Sequence, residues 1–191
     1  AGGAAHASAP SPDGKRPAKT YVHLVGTVPD PAAMYTLMCH EAVPGHNMQG
    51  DIQVRQQGGP KFRAVTGYVA FGEGWGLYAE DLGKDMGLYT DPYSDFGRLG
   101  MELWRAARLV VDTGIHSKRW SRERAIDYLK QNTPNPDGDI RKAIERYVVY
   151  PGQATAYMIG KLKIMELREK ARSELGNSFD IRAFHDVVLR S

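Results

Sequence analysis

The chain has 191 residues, of which 42% are hydrophobic and 25% are charged, with a net charge of +3 and a single cysteine. This composition is typical of a globular domain with a buried core, and the nearly balanced charges do not suggest nucleic-acid binding. Cys39 alone excludes an internal disulfide and a cysteine-rich zinc site, so a metal would need His, Asp or Glu ligands. The longest apolar runs are about five residues, whereas a membrane-spanning helix needs ~20.

The first 20 residues are rich in Ala, Gly, Pro and Ser and contain little that a core could bury. We interpret residues 1–20 as a flexible leader or a cut end, and residues 21–191 as the folded part. Only residues 21–28 have the β-branched and aromatic alternation of a strand. The sequence therefore predicts at most one short edge strand.

Helical patterns fill the rest of the chain. Asp30 and Pro31 predict a helix start, and this helix leads to His40 before Pro44 and Gly45 break it. The other predicted elements are helices over about 48–57, 68–84, 121–128, 140–149 and 153–175, a long helix capped by Ser94 or Asp95, a last helix capped by Asp180, and a loop over 132–139. The expected fold is mainly α.

Residues 40–46 (HEAVPGH) carry the clearest chemical signal. They resemble the metallopeptidase signature HExxH, in which two histidines hold zinc and the intervening glutamate activates water. Here the histidines are six residues apart, which on a regular helix places them about 120° apart around the axis. Pro44 and Gly45 can supply the distortion that turns both imidazoles toward one ion. The alternative is a chance grouping on a surface helix.

A third ligand has to come from another element. Glu73 lies 33 residues after the first histidine, on a separate predicted helix, and a carboxylate from a neighbouring helix can complete a zinc site. The glycines around it (Gly72, Gly74 and Gly76) would let that helix pack closely. Glu80, seven residues further on the same face, is a candidate for orienting a ligand histidine, with an ordinary surface acid as the alternative.

Five motifs in the same order resemble the bacterial family of unknown function DUF885, which is grouped with the zincin-like metallopeptidases. The motifs are HEAVPGH, EGWGLYAE, RLVVDTGIH, RYVVYPGQATAYMIGK and FDIRAFHDVVL. The resemblance covers roughly residues 21–191, and members of that family are far longer. It therefore implies that this chain is the C-terminal catalytic portion of a larger helical metallohydrolase, whose N-terminal part forms the other wall of the cleft.

The resemblance also implies a zincin-like helical fold with an active-site helix. Zn²⁺ would be held by His40, His46 and Glu73, and Glu41 would act as the general base. Many relatives look like PGHH where this sequence has Asn47 after the second histidine, and this departure bears on the ligand set or on substrate contact.

Peptide hydrolysis generates an oxyanion, so a donor is needed opposite the metal. Tyr157 and His116 are the candidates, although Tyr157 could also be an ordinary core residue. Asp112 is four residues before His116, which predicts either a buried pair or a relay that fixes the tautomer of the histidine. The candidate substrate contacts are Arg108, Arg146 and Gln153.

The sequence thus predicts a zinc-dependent hydrolase of peptide or related amide bonds. A hydrolase of non-peptide amides or esters is one alternative, and a non-catalytic helical piece that binds or completes a larger assembly is another. The expected partner is then the N-terminal part of the same protein. The sequence leaves the compartment open between cytoplasmic and exported.

Overall fold

A computed structural model describes residues 5–11, 13–23, 31–56, 62 and 66–190, and these residues are mainly α-helical, which confirms the predicted fold class. No described helix is long and apolar enough to cross a membrane. The elements are β1 (Ala5–Ser8), β2 (Lys19–Val22), α1 (Pro31–Glu41), α2 (His46–Arg55), α3 (Val69–Asp85), α4 (Pro92–Lys118), α5 (Arg122–Asn132), α6 (Asp137–Val149), α7 (Gln153–Leu175) and α8 (Ile181–Arg190). A short 3₁₀ turn, Gly176–Ser178, joins α7 to α8.

The two strands form an antiparallel pair in which Ala5 lies opposite Val22 and Ser8 lies opposite Lys19. β2 overlaps the start of the strand predicted over residues 21–28, and residues 24–28 lie outside the described part of the chain. β1 falls within the stretch interpreted as a leader or cut end. Part of that stretch is therefore a β-strand that pairs with β2.

Three predicted helix boundaries are wrong: α4 and α6 each begin about three residues earlier than expected, and α5 ends at Asn132 and not near residue 128. α4 is capped by Asp91, whose Oδ1 accepts two backbone N–H groups of the first turn, and not by Ser94 or Asp95. In α6, Pro136 is the cap, and the acidic residues after it belong to the first turn and not to the predicted loop. Carboxylates in this position stabilise the positive end of the helix dipole.

Helices α3 and α7 cross at a pair of glycines. A methyl group on Gly74 would lie 2.5 Å from the Cα of Gly160, and one on Gly160 would lie 1.9 Å from the carbonyl oxygen of Ala70. The two backbones therefore touch without side chains between them. Gly72 was also expected to allow close packing, but a methyl group there would have nothing within 4 Å, so this expectation is wrong.

The two largest buried clusters of the core join different sets of helices. One cluster joins α4, α5 and α6, and its fully buried members include Val111, Leu129 and Ile144. The other joins α3, α7 and α8 around Trp75 and Ile164. The crossing of α3 and α7 places Tyr157, in the N-terminal part of α7, in a cluster with Leu77 of α3 and next to the ring of His40 on α1.

A buried lysine sits at this crossing and gives a testable measure of its stability. Lys161 is 2% exposed, and its Nζ lies 2.6 Å from Asp81 Oδ2 and 2.5 Å from Glu102 Oε1. We expect Lys161→Ala to lower the free energy of unfolding by about 3 kcal/mol. The partly buried carboxylates of Asp81 and Glu102 would then share Arg98 as their cation, and the lost buried side chain would leave a cavity. Lys163→Ala, on the same helix with an exposed partner, should change it by less than about 0.5 kcal/mol. Urea unfolding measures both variants, and equal effects would contradict the expectation.

Candidate functional site

The two histidines lie at the ends of two separate helices and not on one distorted helix. His40 is the penultimate residue of α1, and His46 is the first residue of α2. The turn between them folds back so that the two imidazole rings lie 4.7 Å apart between centroids, at 87° to one another. On a regular helix, histidines six residues apart would point in different directions. The break between α1 and α2 brings them together.

Two features fix the shape and position of this turn. A methyl group on Gly45 would lie 1.9 Å from the carbonyl oxygen of His40, so only glycine fits there. The indole Nε1 of Trp75, a fully buried residue of α3, donates a 2.8 Å hydrogen bond to the carbonyl oxygen of Pro44. The turn is therefore fastened to the helix that also carries the third candidate ligand.

Glu73 completes a compact set of possible metal ligands. Its Oε2 lies 3.5 Å from His40 Nε2 and 3.4 Å from His46 Nε2, and one ligand atom from each residue lies within 4.8 Å of the others. Neighbouring ligand atoms on a tetrahedral zinc ion with bonds of about 2.1 Å are separated by about 3.4 Å. Both the donor set and its spacing therefore suit Zn²⁺.

Gly76 allows α3 to pass directly beneath the two imidazoles. A methyl group at this position would lie 2.7 Å from His40 Cε1, 2.9 Å from His40 Nε2 and 3.0 Å from His46 Cε1. No such side chain could be accommodated without movement of a ring. The close approach of α3 is thus a condition for the ligand arrangement.

The buried carboxylate of Glu80 orients the first histidine. His40 Nδ1 lies 2.8 Å from Glu80 Oε1, which leaves Nε2 directed toward Glu73. Arg105 also approaches Glu80, with Nη2 at 3.4 Å from Oε1. A carboxylate on the second ring nitrogen fixes the tautomer and orientation of a metal-binding histidine.

The electrostatics of the candidate ligands His40, His46 and Glu73 favour a positive charge between them. Burial lowers the pKa of His40, but hydrogen bonds to Glu73 and Glu80 outweigh it and raise the pKa to about 9. Burial acts to raise the pKa of Glu73, but hydrogen bonds from His40 and His46 hold it well below its usual range. Surroundings that stabilise a proton on the imidazole would also stabilise a cation.

Glu41 is the last residue of α1, adjacent to His40, and only 8% of it is exposed. Within the described part of the chain, no hydrogen bond or ion pair occupies its carboxylate. A buried carboxylate without a structural partner, next to a candidate metal ligand, is available to accept a proton.

Tyr157 and Gln153, both on α7, border the ligand group. The ring of Tyr157 stacks on that of His40 at 6.1 Å and 21°. Gln153 Nε2 donates toward both Glu73 Oε1, at 3.4 Å, and the Tyr157 hydroxyl, at 3.3 Å. A phenol that accepts a hydrogen bond from Gln153 keeps its own proton available to donate.

The structure does not bring all the sequence-predicted residues to this group. His116 is exposed, and its Nε2 lies 2.8 Å from the carbonyl oxygen of Tyr147. Asp112 accepts the backbone N–H of Gly152 at 3.1 Å, so it caps α7 and does not pair with His116. Arg146 lies on the exposed side of α6. The predicted pair or relay between Asp112 and His116 is therefore not formed.

Two contributors were not predicted. Arg105 contacts Glu80, and its spacing of three residues from Arg108 on α4 is the signal that could have placed both on one face. Trp75 was not singled out from the sequence as a site residue, yet its indole N–H holds the histidine turn. Asn47 donates to Thr20 Oγ1 at 2.7 Å, which ties the start of α2 to the strand pair.

One family model and two solved structures match almost the whole chain. The family model described as "Bacterial protein of unknown function (DUF885)" matches residues 1–191. The crystal structure of a "putative lipoprotein from Colwellia psychrerythraea" is 42% identical, with a TM-score of 0.93 over 99% of this chain and 33% of that one. A "putative lipoprotein of unknown function from Shewanella oneidensis" is 25% identical, with a TM-score of 0.83 over 97% of this chain and 36% of that one. No curated protein matches significantly. The chain thus spans about a third of the length of each solved relative.

Proposed function

The chain belongs to the bacterial family DUF885, whose function is unknown, and from this premise we propose that it is the C-terminal catalytic part of a zincin-like, zinc-dependent hydrolase of peptide or related amide bonds. The observation that carries the proposal is the approach of Glu73 Oε2 to the Nε2 atoms of His40 and His46, at 3.5 and 3.4 Å. These are the separations expected of ligands that share one small cation.

His40, His46 and Glu73 would hold the metal, and Glu80 would keep the His40 ring in its binding orientation. Zn²⁺ bound there would supply Lewis-acid activation of a carbonyl group and of a water molecule. Glu41 would accept the proton of the attacking water and deliver it to the leaving amine. The Tyr157 hydroxyl would donate a hydrogen bond to the oxygen that becomes negatively charged.

Metal content tests the proposal directly. We expect the purified full-length protein to contain about one zinc ion per chain, and His40→Ala and His46→Ala to lose it, because each removes one of three protein ligands. His116→Ala is the matched control, since this histidine lies on the carbonyl oxygen of Tyr147 and should leave the zinc content unchanged. Elemental analysis by mass spectrometry measures these four proteins and a His40→Ala, His46→Ala double variant. Zinc retained in the His40→Ala, His46→Ala double variant would contradict the proposed site.

A second candidate function is a non-catalytic helical part that completes or binds a larger assembly, with the rest of the same protein as partner. It is favoured by an apolar stripe on α4, where Phe96, Leu99 and Leu103 are 68%, 49% and 45% exposed. Peptide hydrolysis by the full-length protein and by this chain alone distinguishes the possibilities. Hydrolysis by neither, with zinc absent from both, would favour the second candidate.

The descriptions of both solved relatives as lipoproteins bear on the compartment. Between the cytoplasmic and exported locations that the sequence leaves open, they favour export. We therefore propose that the substrates are peptides or small amides outside the cytoplasm.

A further inference from the structure

Arg108, on α4, lies among aromatic rings beside the candidate ligand group. Its Nε donates a 2.8 Å hydrogen bond to the hydroxyl of Tyr147. Its Cζ lies 4.8 Å from the ring centroid of Tyr157, 5.5 Å from that of Tyr147 and 5.7 Å from that of Trp104. The guanidinium is therefore held by π faces and by the phenol oxygen of Tyr147.

The partners of the two neighbouring arginines differ in one respect. Arg105 has a carboxylate, with its Nη2 3.4 Å from Glu80 Oε1. Arg108 has no carboxylate within 4.0 Å among the residues that the structure describes. A partly buried guanidinium without an anion is incompletely compensated, and its planar fork is suited to binding a carboxylate through two parallel hydrogen bonds.

Tyr157 places this guanidinium next to the reaction centre. One face of the phenol ring stacks on His40 at 6.1 Å, and Arg108 Cζ lies 4.8 Å from the same ring. An extended peptide advances 3.3–3.6 Å per residue. The path from the His40 ring through the Tyr157 ring to Arg108 Cζ therefore corresponds to no more than about three residues of an extended substrate.

We infer that Arg108 binds the C-terminal carboxylate of a short peptide substrate, so that the enzyme removes residues from the carboxyl end of the peptide. This inference rests on the proposed hydrolase function. It selects an exopeptidase over an endopeptidase, because an internal peptide segment has no carboxylate to offer at that distance from the cleaved bond. It also separates Arg108 from Arg146, which lies on the exposed side of α6.

Binding without turnover tests the inference separately from catalysis. The probes are N-acetylated tripeptides made in three forms: with a free C-terminal carboxylate, as C-terminal amides, and as amides with an aspartate in the last position. Their affinities are measured by calorimetry for zinc-loaded full-length protein carrying Glu41→Gln, alone and combined with Arg108→Gln or Arg108→Lys. Arg124→Gln is the control, because Arg124, on α5, also lies over an aromatic ring, 4.2 Å from the centroid of Trp120.

We expect the free-acid peptides to bind about 10- to 100-fold more tightly than the amides, the range for hydrogen bonds to a charged group. Arg108→Gln should abolish this preference, Arg108→Lys should restore part of it, and Arg124→Gln should leave it intact. Equal binding of acids and amides by the Glu41→Gln protein overturns the inference, as does the absence of binding by all three sets. Stronger binding of the aspartate amides than of the free acids also overturns it, since the anion is then a side chain.

The outcomes also separate this inference from the proposed function. If the acids are preferred through Arg108 but the wild-type protein hydrolyses no peptide, the hydrolase proposal fails while the carboxylate site stands. If peptides are hydrolysed but the preference is absent, the hydrolase proposal stands and the carboxylate site fails. Circular dichroism of each variant identifies any that does not fold, and the acid-to-amide ratio of the Glu41→Gln protein does not depend on them.

Discussion

Replacing Glu41 by glutamine is expected to lower kcat for peptide hydrolysis by about 10²- to 10⁴-fold, the range typical of a lost general base. The amide has nearly the shape of the carboxylate but cannot accept the proton of the attacking water. Glu41 is not one of the three residues whose ligand atoms converge, so zinc content should not change. Because no described residue pairs with its carboxylate, thermal unfolding should also change little.

The control for this variant is Glu174→Gln, an exposed glutamate near the end of α7, which should retain wild-type kcat. Zinc analysis, thermal unfolding and steady-state kinetics on the full-length protein give the three readouts. Retention of wild-type hydrolysis by Glu41→Gln would show that another group accepts the proton. Loss of zinc together with activity would show that Glu41 binds the metal and does not act as the base.

Gly76→Ala is expected to weaken zinc binding by at least about tenfold, comparable to the loss of a group that orients a metal ligand. The added methyl group would lie 2.7 Å from His40 Cε1 and 3.0 Å from His46 Cε1, so one or both rings must move. The substitution adds no charge and removes no ligand. Its effect therefore reports the position of the imidazoles alone.

Gly72→Ala is the matched control on the same helix, since its methyl group would meet nothing within 4 Å. We expect it to keep wild-type zinc affinity and to raise the free energy of unfolding by about 0.5–1 kcal/mol, because alanine is the better helix former. Zinc affinity is measured by competition with a chelator, and stability by urea unfolding. Wild-type zinc affinity in Gly76→Ala would contradict the packing of α3 against the histidines.

The sequence predicted most of the helices because their ends carry strong local signals. Asp30 and Pro31 predicted the start of α1, and Ser121 does cap α5, with its hydroxyl accepting the N–H of Arg124. The start of α4 was missed because Asp91 and Pro92 form a stronger cap and first-turn pair than the Ser94 chosen from the apolar pattern. Local capping chemistry, where two candidates compete, decides such boundaries.

The proximity of the candidate ligands was predicted less completely. The helix breakers Pro44 and Gly45 indicated that the histidines could be turned toward each other, and the spacing of Glu73 indicated a neighbouring helix. Neither signal predicts the hydrogen bond from Trp75 to the turn, because that contact joins residues 31 apart in the chain. The distance between helices depends on which small residues face each other, which a single sequence does not reveal.

The predicted pairing that failed lies on α4. The spacing of Asp112 and His116 shows that they share a face of one helix, but it does not show which other element covers that face. In the structure Asp112 meets the start of α7, and His116 meets α6. Helical periodicity predicts which residues lie on the same face of one helix. A functional site is formed by residues from several helices, and periodicity does not predict which of these pack together.

The cap that Asp112 places on Gly152 has one more consequence. It joins α4, which carries Arg108, to the start of α7, the helix that carries Tyr157, and the ion pair of Lys161 with Glu102 joins the same two helices further along. Two helices joined at two places keep a nearly constant spacing, so the distance between the proposed carboxylate anchor, Arg108, and the proposed oxyanion donor, Tyr157, would vary little. Such an enzyme would select peptides by the number of residues between the cleaved bond and their carboxyl end.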